Sequence, residues 1–388
     1  MNPHMLANWL SVALALAIAP ASGGRAPMTS DPAARPPALN ASPGPEYADS
    51  ARMFQGIPAI ERAPSGRLWA AWYGGGVTED RHNYVMVSTS SDDGRTWSGL
   101  KLVIDPDGAG PVRAFDPCLW HDPTGRLWLF WAQRQRAAHL FAVTTDHPDA
   151  ETPTWTPARR LCDGIMMNKP TVLSTGEWLL PVAVWRRDDS ARVIRSTDKG
   201  ATWHRLGAAR IPRKQHRNCD EHMLVERRDR SLWMLVRTAY GIGESQSTDR
   251  GATWSDVAPS PIQHATARFF VRRLLSGKLL LVKHGPLARR TGRSHLTAWL
   301  SSDDGTTWTG GLVLDPRGGV SYPDAAQAPD GTIYLIYDYA RIGDKTILLA
   351  TFTEADVAAG KCVSPRARLR SLVNQATGIN PRARRPKP

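Results

Sequence analysis

Short runs in which apolar residues alternate with polar ones recur along most of the chain, separated by turns rich in Gly, Asp and Ser. Tyr84-Val-Met-Val and His295-Leu-Thr-Ala-Trp-Leu are two of them, and a period of two reads as strand with one face buried. A turn followed at once by a short apolar strand appears at Gly66-Arg-Leu-Trp, Gly125-Arg-Leu-Trp, Gly176-Glu-Trp-Leu, Arg230-Ser-Leu-Trp, Gly277-Lys-Leu-Leu and Gly331-Thr-Ile-Tyr. In step with it runs Ser-x-Asp-x-Gly-x-Thr-Trp, at Ser90–Trp97, Ser196–Trp203, Ser247–Trp254 and Ser301–Trp308. A damaged copy, Thr144-x-Asp146 with an insertion before Thr154-Trp155, falls where one is missing.

These copies repeat at intervals of about 50 residues, each unit holding roughly four short strands, which is the signature of propeller blades. Six such units fit between about residues 50 and 368, whereas seven leave no room for the segments that precede them. The expected fold is therefore all-β, a six-bladed β-propeller of four-stranded antiparallel blades over residues 49–368. Within each box, Asp and Ser are expected to bond local backbone, Gly to take positive φ, and Trp to pack between neighbouring sheets. A single box carries too few carboxylates to hold calcium, and no metal or other cofactor is expected. Most of the 15 Trp are absorbed by boxes and strands, leaving Trp72, Trp120, Trp131, Trp185 and Trp299 to be placed.

Composition agrees with a folded chain. Apolar residues at 41% and charged residues at 22% argue against wholesale disorder, and 32 Gly with 30 Pro predict many turns. Leu10–Ala19 is an apolar stretch followed by small residues, which reads as a signal peptide over residues 1–24 and hence an exported protein. Residues 25–48, rich in Ala and Pro, read as a linker. No apolar run is long enough for a membrane-spanning helix. The net charge of +13 is concentrated at the C-terminus, where Lys361, Arg366, Arg368, Arg370, Arg382, Arg384, Arg385 and Lys387 are accompanied by no acid. Residues 369–388 read as a basic disordered tail, and not as a nucleic-acid surface. Cys118, Cys162, Cys219 and Cys362 lack zinc-site spacing, and their pairing is left open. A monomer is expected.

At the boxes the chain resembles the sialidase (exo-α-neuraminidase) superfamily, over about residues 52–355. The resemblance implies a Tyr nucleophile partnered by a Glu, an acidic proton donor and a clamp of arginines on a substrate carboxylate. Tyr322, in Ser321-Tyr322-Pro323-Asp324, stands where the family has its nucleophile, and Glu221, in Asp220-Glu221-His222, where it has the partner acid. Arg237 and Arg293 stand at two clamp positions. The proton donor falls to Glu79 or Asp80, in the loop Gly74–His82. One position departs from the pattern: Met53-Phe54-Gln55-Gly56-Ile57-Pro58 keeps the frame of the family's Phe/Tyr-Arg-Ile-Pro, with Gly56 in place of the first clamp Arg. Arg268, Arg113 and Arg81 are candidates to replace it, and His284, Asp116 and Lys169 are further polar groups near strand starts.

The chemistry is coherent. A carboxylate on the reacting carbon repels an anionic nucleophile, whereas a neutral phenol approaches it. With a reference pKa of about 10, that phenol needs a base at hand. The sequence thus favours a glycosidase that removes a terminal acidic sugar, such as sialic acid, from glycans with retention. Two alternatives stay open: a polysaccharide lyase or uronate-directed glycosidase, with Tyr322 or His284 abstracting a proton, and a glycan-binding propeller without turnover.

Overall fold

The alternating segments all become strands. The computed structural model describes residues 31–108 and 110–382, and in these it has six sheets of four antiparallel strands. Each sheet is built from consecutive strands, so a blade is a simple meander. The first comprises Phe54–Arg62, Leu68–Gly75, Asn83–Ser90 and Leu102–Ile104. Blades two to six open on Arg113–His121, Thr171–Val172, Asp220–Glu226, Phe270–Arg273 and Val320–Gln327. These opening strands line the axis, and the six-bladed expectation is met.

The box turns are local hydrogen-bond devices. In the third intact copy, Asp249 Oδ1 accepts the backbone N–H of Thr253 at 2.9 Å and Oδ2 accepts the Thr253 hydroxyl at 2.6 Å. Ser247 Oγ accepts the N–H of Gly251 at 2.8 Å, and Gly251 sits at φ 91°, a conformation that favours a residue without Cβ. These bonds stabilise the ionised carboxylate and hold Asp249 down at about 2, with the Thr253 hydroxyl the largest contributor. Box tryptophans pack at blade junctions as expected: Trp203 meets Trp128 of the preceding blade edge-on, at 6.2 Å between ring centroids. Trp72, Trp120 and Trp131 are fully buried, Trp299 packs on the core, and Trp185 is half-buried.

The ring closes through polar contacts between first and last blades. Asp324 Oδ2 accepts the N–H of Ile60 at 2.9 Å, and Asp338 Oδ2 accepts that of Ile57 at 2.8 Å. On the axis, buried Lys169 donates to the carbonyls of Ile60 and Leu119 at 2.6 and 2.7 Å, and lies 3.1 Å from Glu61 and 3.3 Å from Asp324. This plug joins four blades beneath the mouth described below.

Two expected boundaries differ. Arg368–Gln375, placed at the edge of the tail, is the fourth strand of the last blade, because it completes the edge left by Thr346–Phe352. Residues 31–48, read as linker, lie on the propeller: Asp31 Oδ2 accepts the N–H of Ala137 at 2.9 Å, and Asn40 bridges to Val103. Arg52, fully buried, joins these ends by donating to the Tyr47 carbonyl at 2.6 Å and to Asn374 at 2.8 Å. The signal-peptide reading falls on residues outside those described. All four cysteines are free.

One irregularity matters most for function. The opening strands of blades one, two, four and six each carry a bulge at the same place, between Gly56 and Ala59, Phe115 and Cys118, Asp220 and Met223, and Ser321 and Asp324. The bulged residues Ile57, Asp116, Glu221 and Tyr322 all have positive φ, at 54°, 51°, 39° and 53°. Such a conformation costs about 1–3 kcal/mol for a residue with a side chain, and it re-aims that side chain out of the strand's alternation. Proline follows in three of the four, at Pro58, Pro117 and Pro323, where the ladder no longer needs a donor.

Candidate active site

The bulges of blades four and six bring Glu221 and Tyr322 together. Tyr322 Oη donates to Glu221 Oε1 at 3.3 Å. Arg237, at the end of the second strand of blade four and paired across from Asp220, donates to the same carboxylate oxygen at 2.5 Å and to the phenol oxygen at 3.2 Å. All three are buried. Glu221 Oε2 is left without a partner, an open acceptor beside the phenol. Burial raises the pKa of Tyr322 and the Glu221 carboxylate raises it further, against the opposing pull of Arg237, Arg341 and Arg293. The resting phenol is therefore neutral. Burial works against the charge of Arg237, but Glu221 outweighs it and the net shift is upward.

Two more guanidinium groups flank the phenol ring. The Cζ atoms of Arg293 and Arg341 lie 5.4 and 5.1 Å from its centroid. Arg293 donates to Ser321 Oγ at 2.9 Å, and Arg341 Nη1 donates to Glu79 Oε1 at 2.5 Å. Together with Phe54, Thr78 and Ile342 these groups border a cavity of about 350 Å³. Glu79 thus faces the hollow. Asp80 does not share that position: its carboxylate accepts backbone N–H groups from Val77, Thr78 and His82 at 3.1, 3.3 and 2.9 Å, and so shapes the loop.

The chain shares its blade pattern with known proteins. The family described as "BNR repeat-like domain" matches residues 66–335. The chain belongs to that family. It is 27% identical to a sialidase of Micromonospora viridifaciens over 358 residues, which is 78% of this chain and 54% of that protein. The chain therefore spans about half the length of the curated relative it matches. Among solved structures, a leech intramolecular trans-sialidase complexed with 2,7-anhydro-Neu5Ac superposes with a TM-score of 0.64 at 16% identity, over 81% of this chain and 70% of that one. The Hadza microbial sialidase Hz136 does so with 0.62 at 20% identity, over 80% and 67%. These structural likenesses establish the shared propeller.

On this BNR propeller several candidates stand away from the mouth. Arg268 is 1% exposed and committed to the core: it donates to Asn168 Oδ1 at 2.7 Å and to the Met167 carbonyl at 2.9 Å, and pairs with Asp324. It is not free to clamp a substrate. His284 is fully buried, with Nε2 2.9 Å from the Val320 carbonyl and its ring stacked on His264 at 5.1 Å. Burial lowers its pKa to about 4. It is a neutral core histidine, with no access to a substrate proton. Arg81 is exposed, with Nε 3.2 Å from His82 Nε2, and bonds to neither acid of its loop. Arg113 is half-buried and stacks 3.8 Å above the Phe115 ring, beside Asp116.

Two residues near this hollow, Asp338 and Arg341, are absent from the sequence-based set, and a third, Asp116, stood in it only as a polar group near a strand start. Asp116 is the bulged residue of blade two; burial pushes its pKa up to about 8, with Arg113 opposing and Glu79 and Glu221 reinforcing. Its signal was present, because Asp116-Pro117 repeats the Tyr322-Pro323 and Ile57-Pro58 pattern. Asp338 is buried, and burial raises it to about 6, against the influence of Arg341. Arg341 lies in the turn after Ile333–Tyr339 and carries no local signature.

Proposed function

We propose that the protein is a retaining exo-glycosidase of sialidase type, acting on a terminal sugar whose anomeric carbon bears a carboxylate. The contact between Tyr322 and Glu221, with Arg237 bound to both, is the observation that carries this reading. Tyr322 Oη attacks the anomeric carbon as its proton passes to Glu221. The bond to the leaving oxygen breaks, and Glu79 supplies the proton that oxygen needs. Water then attacks the anomeric carbon, giving a proton to Glu79, while Glu221 returns its proton to the departing phenolate. Both acids finish as they began. Arg237 and Arg293 hold the substrate carboxylate, where forked hydrogen bonds suit a guanidinium. Asp116, protonated at neutral pH, offers the sugar an O–H donor.

The elimination alternative has less support, since His284 is enclosed and Tyr322 is already paired with its base. Export rests on the apolar segment Leu10–Ala19, a monomeric state completes the proposal, and among the described residues no helix is long and apolar enough to cross a membrane.

The test is incubation with sialyllactose and with uronate-terminated oligosaccharides, the product being followed by proton NMR. Free sialic acid appearing first as the anomer of the bound substrate is the expected result. An unsaturated uronate product, or no release from any acidic glycan, would reject the assignment.

A further inference from the structure

The family-like frame Phe54-Gln55-Gly56-Ile57-Pro58 lacks its arginine, yet the space at Gly56 is not empty. A Cβ built there would overlap Arg341 Cδ, and would lie 2.7 Å from Arg341 Cγ and 2.8 Å from Asp338 Oδ2. Gly56 is not among the residues with positive φ, so the backbone does not demand glycine at this position. The Arg341 stem demands it: no side chain at position 56 can coexist with Arg341 where it stands.

The placement of Arg341 is built, with several partners. Its backbone carbonyl accepts the N–H of Gln55 at 3.3 Å, which fastens the turn to the first strand of blade one. Its Nε lies 4.0 Å from Asp338 Oδ2, and its guanidinium stands over Tyr322 at 5.1 Å and over Phe54 at 6.0 Å. The far side of the guanidinium meets the carboxylate of Glu79 across the cavity. That contact marks where a carboxylate coming from the cavity would bind.

We infer that Arg341 supplies the third guanidinium of the anion clamp, delivered from the last blade into the volume that Gly56 leaves open. The inference rests on the glycosidase reading above and deepens it. Arg237, Arg293 and Arg341 then surround the reacting phenol from three sides, the arrangement expected for a substrate with its carboxylate on the anomeric carbon. An incoming carboxylate takes the place of Glu79 on Arg341, and Glu79, released from that pair, turns to the leaving oxygen. Binding of the acidic sugar thereby frees the proton donor.

The experiment compares the affinity of N-acetylneuraminic acid with that of its methyl ester, by titration calorimetry, in four proteins: wild type, Arg341→Gln, Gly56→Arg and the double variant Gly56→Arg/Arg341→Gly. A hydrogen-bonded charged contact contributes about a ten- to hundredfold change in affinity. Arg341→Gln is expected to lose the acid by that factor and to keep the ester. Gly56→Arg should bind poorly because two side chains compete for one volume, and the double variant should recover preference for the acid. Equal affinity for the acid in Arg341→Gln and wild type, or an equal loss of acid and ester, would overturn the clamp. A wild type that discriminates acid from ester through Arg341 but releases no acidic sugar would overturn the glycosidase reading alone, whereas a wild type that binds neither would overturn both.

Discussion

Tyr322 and Glu221 occupy the same bulge position in two different blades, at φ 53° and 39°, and their polar atoms meet at 3.3 Å. Strained backbone on two strands thus aims a phenol and its proton acceptor at one another. Tyr322→Phe keeps the ring between Arg293 and Arg341 but removes the attacking oxygen, so turnover of an aryl sialoside should fall by about a thousandfold or more. Glu221→Gln should lower the rate by about a hundredfold or more while binding of the free sugar persists. Stopped assays with matched binding measurements check both, and a normal rate in Tyr322→Phe would reject the nucleophile.

The two arginines Arg268 and Arg293 separate stability from recognition. Arg268→Gln leaves Asp324 and the Met167 carbonyl short of a partner in a closed interior, and is expected to cost about 3–5 kcal/mol of stability. Arg293→Gln should raise KM about tenfold or more with little change in thermal midpoint, since its side chain is half-buried and borders the cavity. Urea melts beside steady-state kinetics distinguish the two. A KM defect in Arg268→Gln without loss of stability would return that residue to the clamp.

Asp116 gives a pH dependence with a definite sign. Its folded pKa is about 8, against about 3.9 for an unfolded aspartate. Between these values the folded protein holds a proton that the unfolded chain has released, so stability declines as pH rises through that window. Asp220, raised to about 7 by burial, and Asp338, raised to about 6, act in the same direction. Asp116→Asn removes one contribution, and its thermal midpoint should gain on wild type steadily from pH 5 to pH 8. A gap between the two melting curves that stays constant over that range would show that Asp116 titrates normally.

The boxes should matter for folding and not for turnover. Ser247→Ala strips the buried N–H of Gly251 of its acceptor, at an expected cost of about 1–3 kcal/mol. Ser247 pairs with Leu232 at one end of its ladder whereas Arg237 pairs with Ile242 near the other, so kcat/KM at a temperature below the melt should be unchanged. A large kinetic effect in the folded variant would assign the box a role in the site.

Residue order alone determined the repeating part of this protein. The Ser-x-Asp-x-Gly-x-Thr-Trp turn closes on itself through bonds spanning four residues, and the strands beside it alternate with a period of two, so blade number and class were readable without coordinates. Tyr322, Glu221, Arg237 and Arg293 were named through the resemblance to sialidases, by their places relative to those repeats, and the special position of Asp116 was readable in its Asp-Pro pair. What only the tertiary structure decided is who shares a volume with whom. Arg268 and His284 looked as available as Arg293, yet ring closure enclosed them. Gly56 and Arg341 lie at opposite ends of the chain, and their exclusion of one another exists only because the last blade docks on the first. A periodic pattern records bonds made nearby, whereas a site assembled at the axis depends on distances that closing the ring creates.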